Sequence, residues 1–165
     1  MRNLILIILI LALQACTPTV QPDLPAGAWV GIVDQVYDGD TLTVIDPERG
    51  RVRVRLYGVD CPELRQAGGI QARDTARRLL LQKSVIVQTI DVDRYGRNVA
   101  RVRVQDSDVS EALVKAGHAW VYGRYCRIEA CRSWADLQEQ AQGQGLGLWT
   151  DPAPIAPWAW RKSKH

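Results

Sequence analysis

Three carboxylates and one arginine fall close together in the chain, each at a turn or a strand end. Asp40 sits in Asp38-Gly39-Asp40-Thr41, and Arg55, Asp60 and Glu63 follow. Carboxylate oxygens are the ligands that a hard cation takes. A guanidinium offers a planar fork of donors matched to phosphate oxygens. If the strand ends bring all four to one place, the chemistry is metal-assisted displacement at phosphorus. Taken one at a time, the acids have a plainer role, because Asp in a turn routinely hydrogen-bonds its own backbone. Composition alone favours that plainer role.

The elements that must position these residues can be read from patterning. Trp29 to Val36 reads as a strand, followed by the turn formers at 38–41 and a second strand over Leu42 to Ile45. Asp46 to Gly50 is a second turn. Arg51 to Leu56 alternates strictly, so Val52, Val54 and Leu56 share one face and Arg51, Arg53 and Arg55 the other. Gly69 to Gln82 reads as a helix, Val85 to Ile90 as a strand, Asp93 to Arg97 as a loop and Val99 to Val104 as a returning strand. Asp108 with Glu111 opens a second helix as a capping box, and Gly117 stops it. A third helix is expected from about Ile128 to Gln142. Five short strands with an inserted helix, then helices, give an α+β order that suits a small closed barrel such as the OB-fold, with three helices.

Spacing decides between the two readings of the acids. Asp38-Gly39-Asp40-Thr41, then Arg55-Leu56-Tyr57-Gly58-Val59-Asp60-Cys61-Pro62-Glu63, resembles the staphylococcal nuclease (thermonuclease) signature. Asp93-Arg94-Tyr95-Gly96-Arg97 resembles that family's second signature, and Glu111 to Gly117 a later helix stretch. The resemblance runs in order from about Val30 to Trp149. It implies that Asp40, Asp60 and the backbone carbonyl of Cys61 hold Ca2+, with Cys61 standing where the family has Thr. It implies that Arg55 and Arg97 grip the scissile phosphate, and that Glu63 is the general base or orients the attacking water. The implied activity is endonucleolytic hydrolysis of DNA or RNA phosphodiesters with little sequence specificity, leaving 3'-phosphate ends. Tyr95, and Tyr122 or Tyr125, stand near where the family stacks bases. Half-buried packing is an equal account of these tyrosines.

The ends and the cysteines bear on location. Leu4 to Leu13 is an apolar run of ten residues after Arg2. That is too short to span a bilayer and fits a signal peptide. It ends in Leu13-Gln14-Ala15-Cys16, which resembles a bacterial lipobox, so Cys16 is the expected lipidation site. The expected division is 1–15 signal peptide, 16–27 proline-containing tether, 28–150 nuclease domain and 151–165 a Pro- and Trp-rich basic tail. An exported, lipid-anchored envelope protein follows, on the outer membrane or periplasmic side in a Gram-negative host, with monomer the default. Cys126 and Cys131, five residues apart in an exported chain, are expected to form a disulfide. Related envelope nucleases with a Y-C…C segment point the same way. His118 and His165 lack zinc-ligand spacing. A net charge of +3 is too weak by itself to imply a polyanionic partner. Two other classes remain open: a binding module of the same fold, and a structural envelope lipoprotein.

Overall fold

The structure is a computed structural model and describes residues 24–164. The expected signal segment and the lipidation site Cys16 lie outside the described residues. No helix among the described residues is long and apolar enough to cross a membrane.

Three antiparallel strands open the fold: β1 (Ala28–Val36), β2 (Thr41–Asp46) and β3 (Gly50–Leu56). A short β4 (Val59–Asp60) and the helix α1 (Gly69–Leu80) lead to β5 (Ser84–Val92) and β6 (Asn98–Val104). β5 pairs with β1 and with β6, both antiparallel, and β6 returns to pair with β3 in parallel through Arg55↔Val99. That last pairing closes five strands into a barrel, which leaves no open edge along its seam. A two-residue β7 (Ser107–Asp108) adds to β6, and β8 (Trp120–Val121) pairs with β4. The helix α2 (Val109–Lys115) and the helix α3 (Ala130–Gly143) pack on the barrel. A 3-10 turn (Gly147–Thr150) and the helix α4 (Pro157–Lys162) finish the chain. The class is the α+β, OB-like barrel that the strand pattern implies.

Alternation accounts for the core. Val33, Val44, Val54, Leu56, Val85, Val87, Ala100 and Val102 point inward and are buried, with Leu80 of α1, Leu113 of α2 and Trp134 of α3 capping them. A buried leucine of this kind contributes about 1.5–3 kcal/mol through apolar area removed from water.

Two helix boundaries and the number of helices differ from expectation. α1 ends at Leu80, because Leu81 is extended and Gln82 takes φ 59. That turn lets Gln82 donate to the Val33 carbonyl and Lys83 accept from Val33, which delivers β5 to β1. α3 starts at Ala130 rather than Ile128, after the tight segment that the Cys126–Cys131 disulfide closes. The described residues hold four helices, one more than expected. Pro157 occupies the first turn of α4, where its missing N–H costs nothing and its φ suits a helix start. Its prolines and tryptophans mark that stretch in the sequence only as a tail. The Asp108 cap forms, accepting from the Ser110 and Glu111 backbone N–H groups. Glu111 does something else: its carboxylate accepts from Trp134 Nε1 at 3.4 Å and ties α2 to α3.

Candidate active site

The first acid is fixed by its own turn. Asp38 Oδ1 accepts from the Asp40 and Thr41 backbone N–H groups at 3.1 and 2.7 Å. Gly39 is required at the apex, since a Cβ there would stand 2.5 Å from the Cys61 Cβ. Asp40 is thus turned inward, 2 % exposed, and its Oδ2 accepts from the Cys61 backbone N–H at 2.7 Å. Its carbonyl also accepts from Leu56 N–H. Asp60, fully buried, is set by β4, which pairs with β8 through Val59↔Val121 and Asp60↔Trp120.

Arg55 joins these two acids. It lies on β3 opposite Thr41 of β2 and Val99 of β6, at the seam of the barrel. Its Nη1 donates to Asp40 Oδ1 at 2.6 Å and its Nη2 to Asp60 Oδ1 at 2.7 Å. Burial pushes Asp40 up to about 7, against the lowering influence of Arg55. Burial also works against the Arg55 charge, but Asp40 and Asp60 outweigh it and hold the guanidinium above its ordinary value. The two partners pull in different senses because one guanidinium is divided between two carboxylates. It is fully compensated itself, while Asp40 receives only a share of its positive charge. Cys61, buried beside Asp40, has its thiol pushed up, mainly by burial and then by the neighbouring carboxylate. It is inert as a nucleophile in that state.

The second arginine of the sequence reading approaches from the β5–β6 turn. Asp93 Oδ1 accepts from the Tyr95 and Arg97 backbone N–H groups, and its Oδ2 accepts from Arg97 Nε at 2.7 Å. Burial raises the Asp93 carboxyl, and these hydrogen bonds outweigh it and leave the group below its ordinary value. Held in this way, Arg97 reaches Thr41 Oγ1 with Nη1 at 3.4 Å, and Thr41 Oγ1 donates to Asp40 Oδ1 at 3.2 Å. Asp40, Asp60, Arg55, Thr41 and Arg97 therefore form one connected cluster.

Glu63 joins through a residue that sequence reasoning missed. Arg161, on α4, donates Nη2 to Asp60 Oδ2 at 2.7 Å and Nη1 to Glu63 Oε1 at 2.8 Å. Its Nη1 also lies 3.2 Å from Asp60 Oδ1. Burial lowers the Arg161 guanidinium, but hydrogen bonds to Asp60 and Glu63 outweigh it and raise it above its ordinary value. A basic residue about a hundred positions beyond its partners carries no local signal of where it docks. The only hint is Trp158-Ala159-Trp160-Arg161, two aromatics able to pin a short segment to the body. Among the described residues, no three Asp, Glu, His or Cys side chains are gathered closely enough to share a metal ion; guanidiniums stand between the acids.

The tyrosines separate. Tyr95 is 68 % and Tyr125 56 % exposed. Tyr95 lies beneath the guanidiniums of Arg94 and Arg97. Tyr122 is stacked on Trp158 of α4, with ring centroids 4.9 Å apart and planes 4° from parallel. The disulfide Cys126–Cys131 lies just beyond, and Gly58 leaves room for the Cys126 sulfur.

A model of the family described as "Staphylococcal nuclease homologue" matches residues 53–151. Among similar proteins, Protein ParB of Escherichia coli is 37% identical over 153 residues, covering 84% of each chain. An Escherichia coli protein named an uncharacterized endonuclease is 40% identical over 135 residues, 81% of this chain and 86% of its own. A micrococcal nuclease of Shigella flexneri is 34% identical over 164 residues, 92% of this chain and 93% of its own. The barrel, the acid-and-arginine cluster at its seam and these likenesses agree, and the chain belongs to the staphylococcal nuclease family.

Proposed function

We propose that this chain is a calcium-dependent endonuclease that hydrolyses DNA or RNA phosphodiesters with little sequence specificity, leaving 3'-phosphate and 5'-hydroxyl ends. The observation that carries the reading is Arg55, which spans Asp40 and Asp60 at the barrel seam with Arg97 one hydroxyl away. The donor set fits a hard cation. Asp40 and Asp60 are oxygen donors, and burial leaves Asp40 at about 7 even beside Arg55. Further positive charge next to it is favourable. Asp40, Asp60 and the Cys61 carbonyl are the residues that would hold Ca2+, which would polarise a phosphate oxygen and stabilise added charge there.

The chain's own groups account for the rest. Negative charge grows on the phosphorus oxygens as water attacks. Guanidiniums fixed in advance by β3 and by the Asp93 turn stabilise that charge more than they stabilise the ground state. Arginine serves better than lysine because it stays charged and binds two oxygens at once. Glu63, about one-third exposed, is the group that would accept a proton from water or orient it. Tyr95 and Tyr125 offer exposed faces on which bases could stack, as would Tyr122 were Trp158 not on it. The chain acts as a monomer, exported and lipid-anchored through Cys16 on the cell envelope, and the Leu4–Cys16 sequence supports that placement.

The test is cleavage of single-stranded DNA and RNA by purified residues 17–165 with calcium, and its arrest by a chelator. Fragments ending in 3'-phosphate are expected. Binding without cleavage would replace this reading with that of a binding module.

A further inference from the structure

We propose that the C-terminal segment 151–164 is a built-in plug: Arg161 competes with the calcium ion for Asp60 and also occupies Glu63, so the nuclease is held inactive until α4 lifts. The inference rests on the reading of Asp60 as a calcium ligand.

Two independent contacts place α4 over both halves of the site. Arg161 saturates the carboxylate of Asp60 with Nη1 and Nη2 and takes one oxygen of Glu63. Three residues earlier, Trp158 lies flat on Tyr122, the geometry a stacked base would adopt. A positive group on the acids and an aromatic ring on the tyrosine reproduce the chemistry of a cation and a nucleobase. The segment is fixed upstream by Gln66, whose Nε2 donates to the Ile155 carbonyl at 2.6 Å. Pro157 is buried, whereas Ala159, Lys162, Ser163 and Lys164 are exposed.

The attachment is also weak enough to release. α4 has six residues, fewer than a helix needs to stand alone in water. A cavity of about 360 Å³ separates the tail from the body, lined by Gln66, Gly68, His118, Leu148, Ile155 and Trp160. Packing beneath the tail is therefore incomplete, and the Arg161 side chain is 38 % exposed. A held-down segment lowers the apparent affinity of its competitor in proportion to the fraction of molecules in which it is docked.

Calcium titration calorimetry on residues 17–165 tests this, with Arg161→Gln compared against Lys162→Gln, which removes the same charge from the exposed neighbour. Arg161→Gln is expected to bind calcium at least about tenfold more tightly, as for a segment docked nine-tenths of the time, and Lys162→Gln to match wild type. In the unmutated chain, saturating calcium is expected to accelerate tryptic cleavage within Arg161–Lys164 and to change Trp fluorescence as Trp158 leaves Tyr122. Equal calcium affinity in all three proteins, with unchanged proteolysis, overturns the plug and leaves the calcium reading standing. No calcium binding by any of them overturns both. Slower cleavage by Arg161→Gln without tighter calcium binding overturns the plug and makes Arg161 a phosphate-gripping group.

Discussion

Arg55 and Arg161 make the same kind of contact at similar distances, yet the regions that carry them differ. Arg55 sits at a barrel seam, paired across β2 on one side and β6 on the other, with a side chain 18 % exposed. Arg161 projects from a six-residue helix whose footing is a buried proline, one glutamine bond and two ring contacts of Trp158, flat on Tyr122 and edge-on to Trp120. A sheet residue cannot move without breaking pairings on both flanks; a tail residue can. An ion pair read off distance alone therefore says little about permanence, and the element behind the side chain says more.

The comparison can be broken most severely at Arg55. Arg55→Ala leaves two buried carboxylates without their shared partner, and is expected to lower stability by about 3–5 kcal/mol. It is also expected to lower turnover by about a thousandfold. Urea unfolding and steady-state cleavage read the two effects. Arg161→Ala, at a partly exposed pair, is expected to cost no more than about 1 kcal/mol in the same unfolding experiment. Equal losses at both positions would erase the distinction between seam and tail.

Arg97→Ala is expected to lower turnover by about a hundredfold or more with a folding free energy within about 1 kcal/mol of wild type, because on the proposed mechanism its side chain serves the transition state and contributes little packing. A smaller effect is expected one step back. Asp93 is held below the ordinary carboxylate value, so its charged form favours the fold. That contribution is fully present above the unfolded value of about 3.9 and is lost as pH falls through the folded one. Asp93→Asn should therefore flatten the acid limb of the stability profile while leaving stability near neutral pH reduced and nearly level. It should also slow cleavage by about tenfold, through Arg97 losing its support. The least effect is expected from Gln66→Ala, which loosens the tail: a drop in melting temperature of a few degrees, by differential scanning calorimetry, with turnover unchanged or raised.

Much of the barrel was legible because its causes are local. Strict alternation in Arg51–Leu56 set which side chains face inward, and Asp108 and Gly117 marked the ends of α2 by backbone chemistry that any helix shares. The cluster of Asp40, Arg55 and Asp60 was legible only through signature spacing, since nothing in a single strand says which turn it will meet. What stayed hidden depended on contacts between distant residues: Gln66 with Ile155, Arg161 with Asp60, Trp158 with Tyr122. The choice between Tyr122 and Tyr125 was hidden for the same reason. Their order in the chain is uninformative, while the docking of α4 covers one and leaves the other 56 % exposed.

The parallel pairing of β3 with β6 has a consequence for the order in which the cluster assembles. Val54, Arg55 and Leu56 meet Asn98, Val99 and Ala100 only after more than forty intervening residues have been wound into place. Contacts of such long range form late and slowly. Until they do, Arg97 stays apart from the trio of Asp40, Arg55 and Asp60, whose members lie within about twenty residues of one another and can meet first. Completion of the cluster is thus timed by topology.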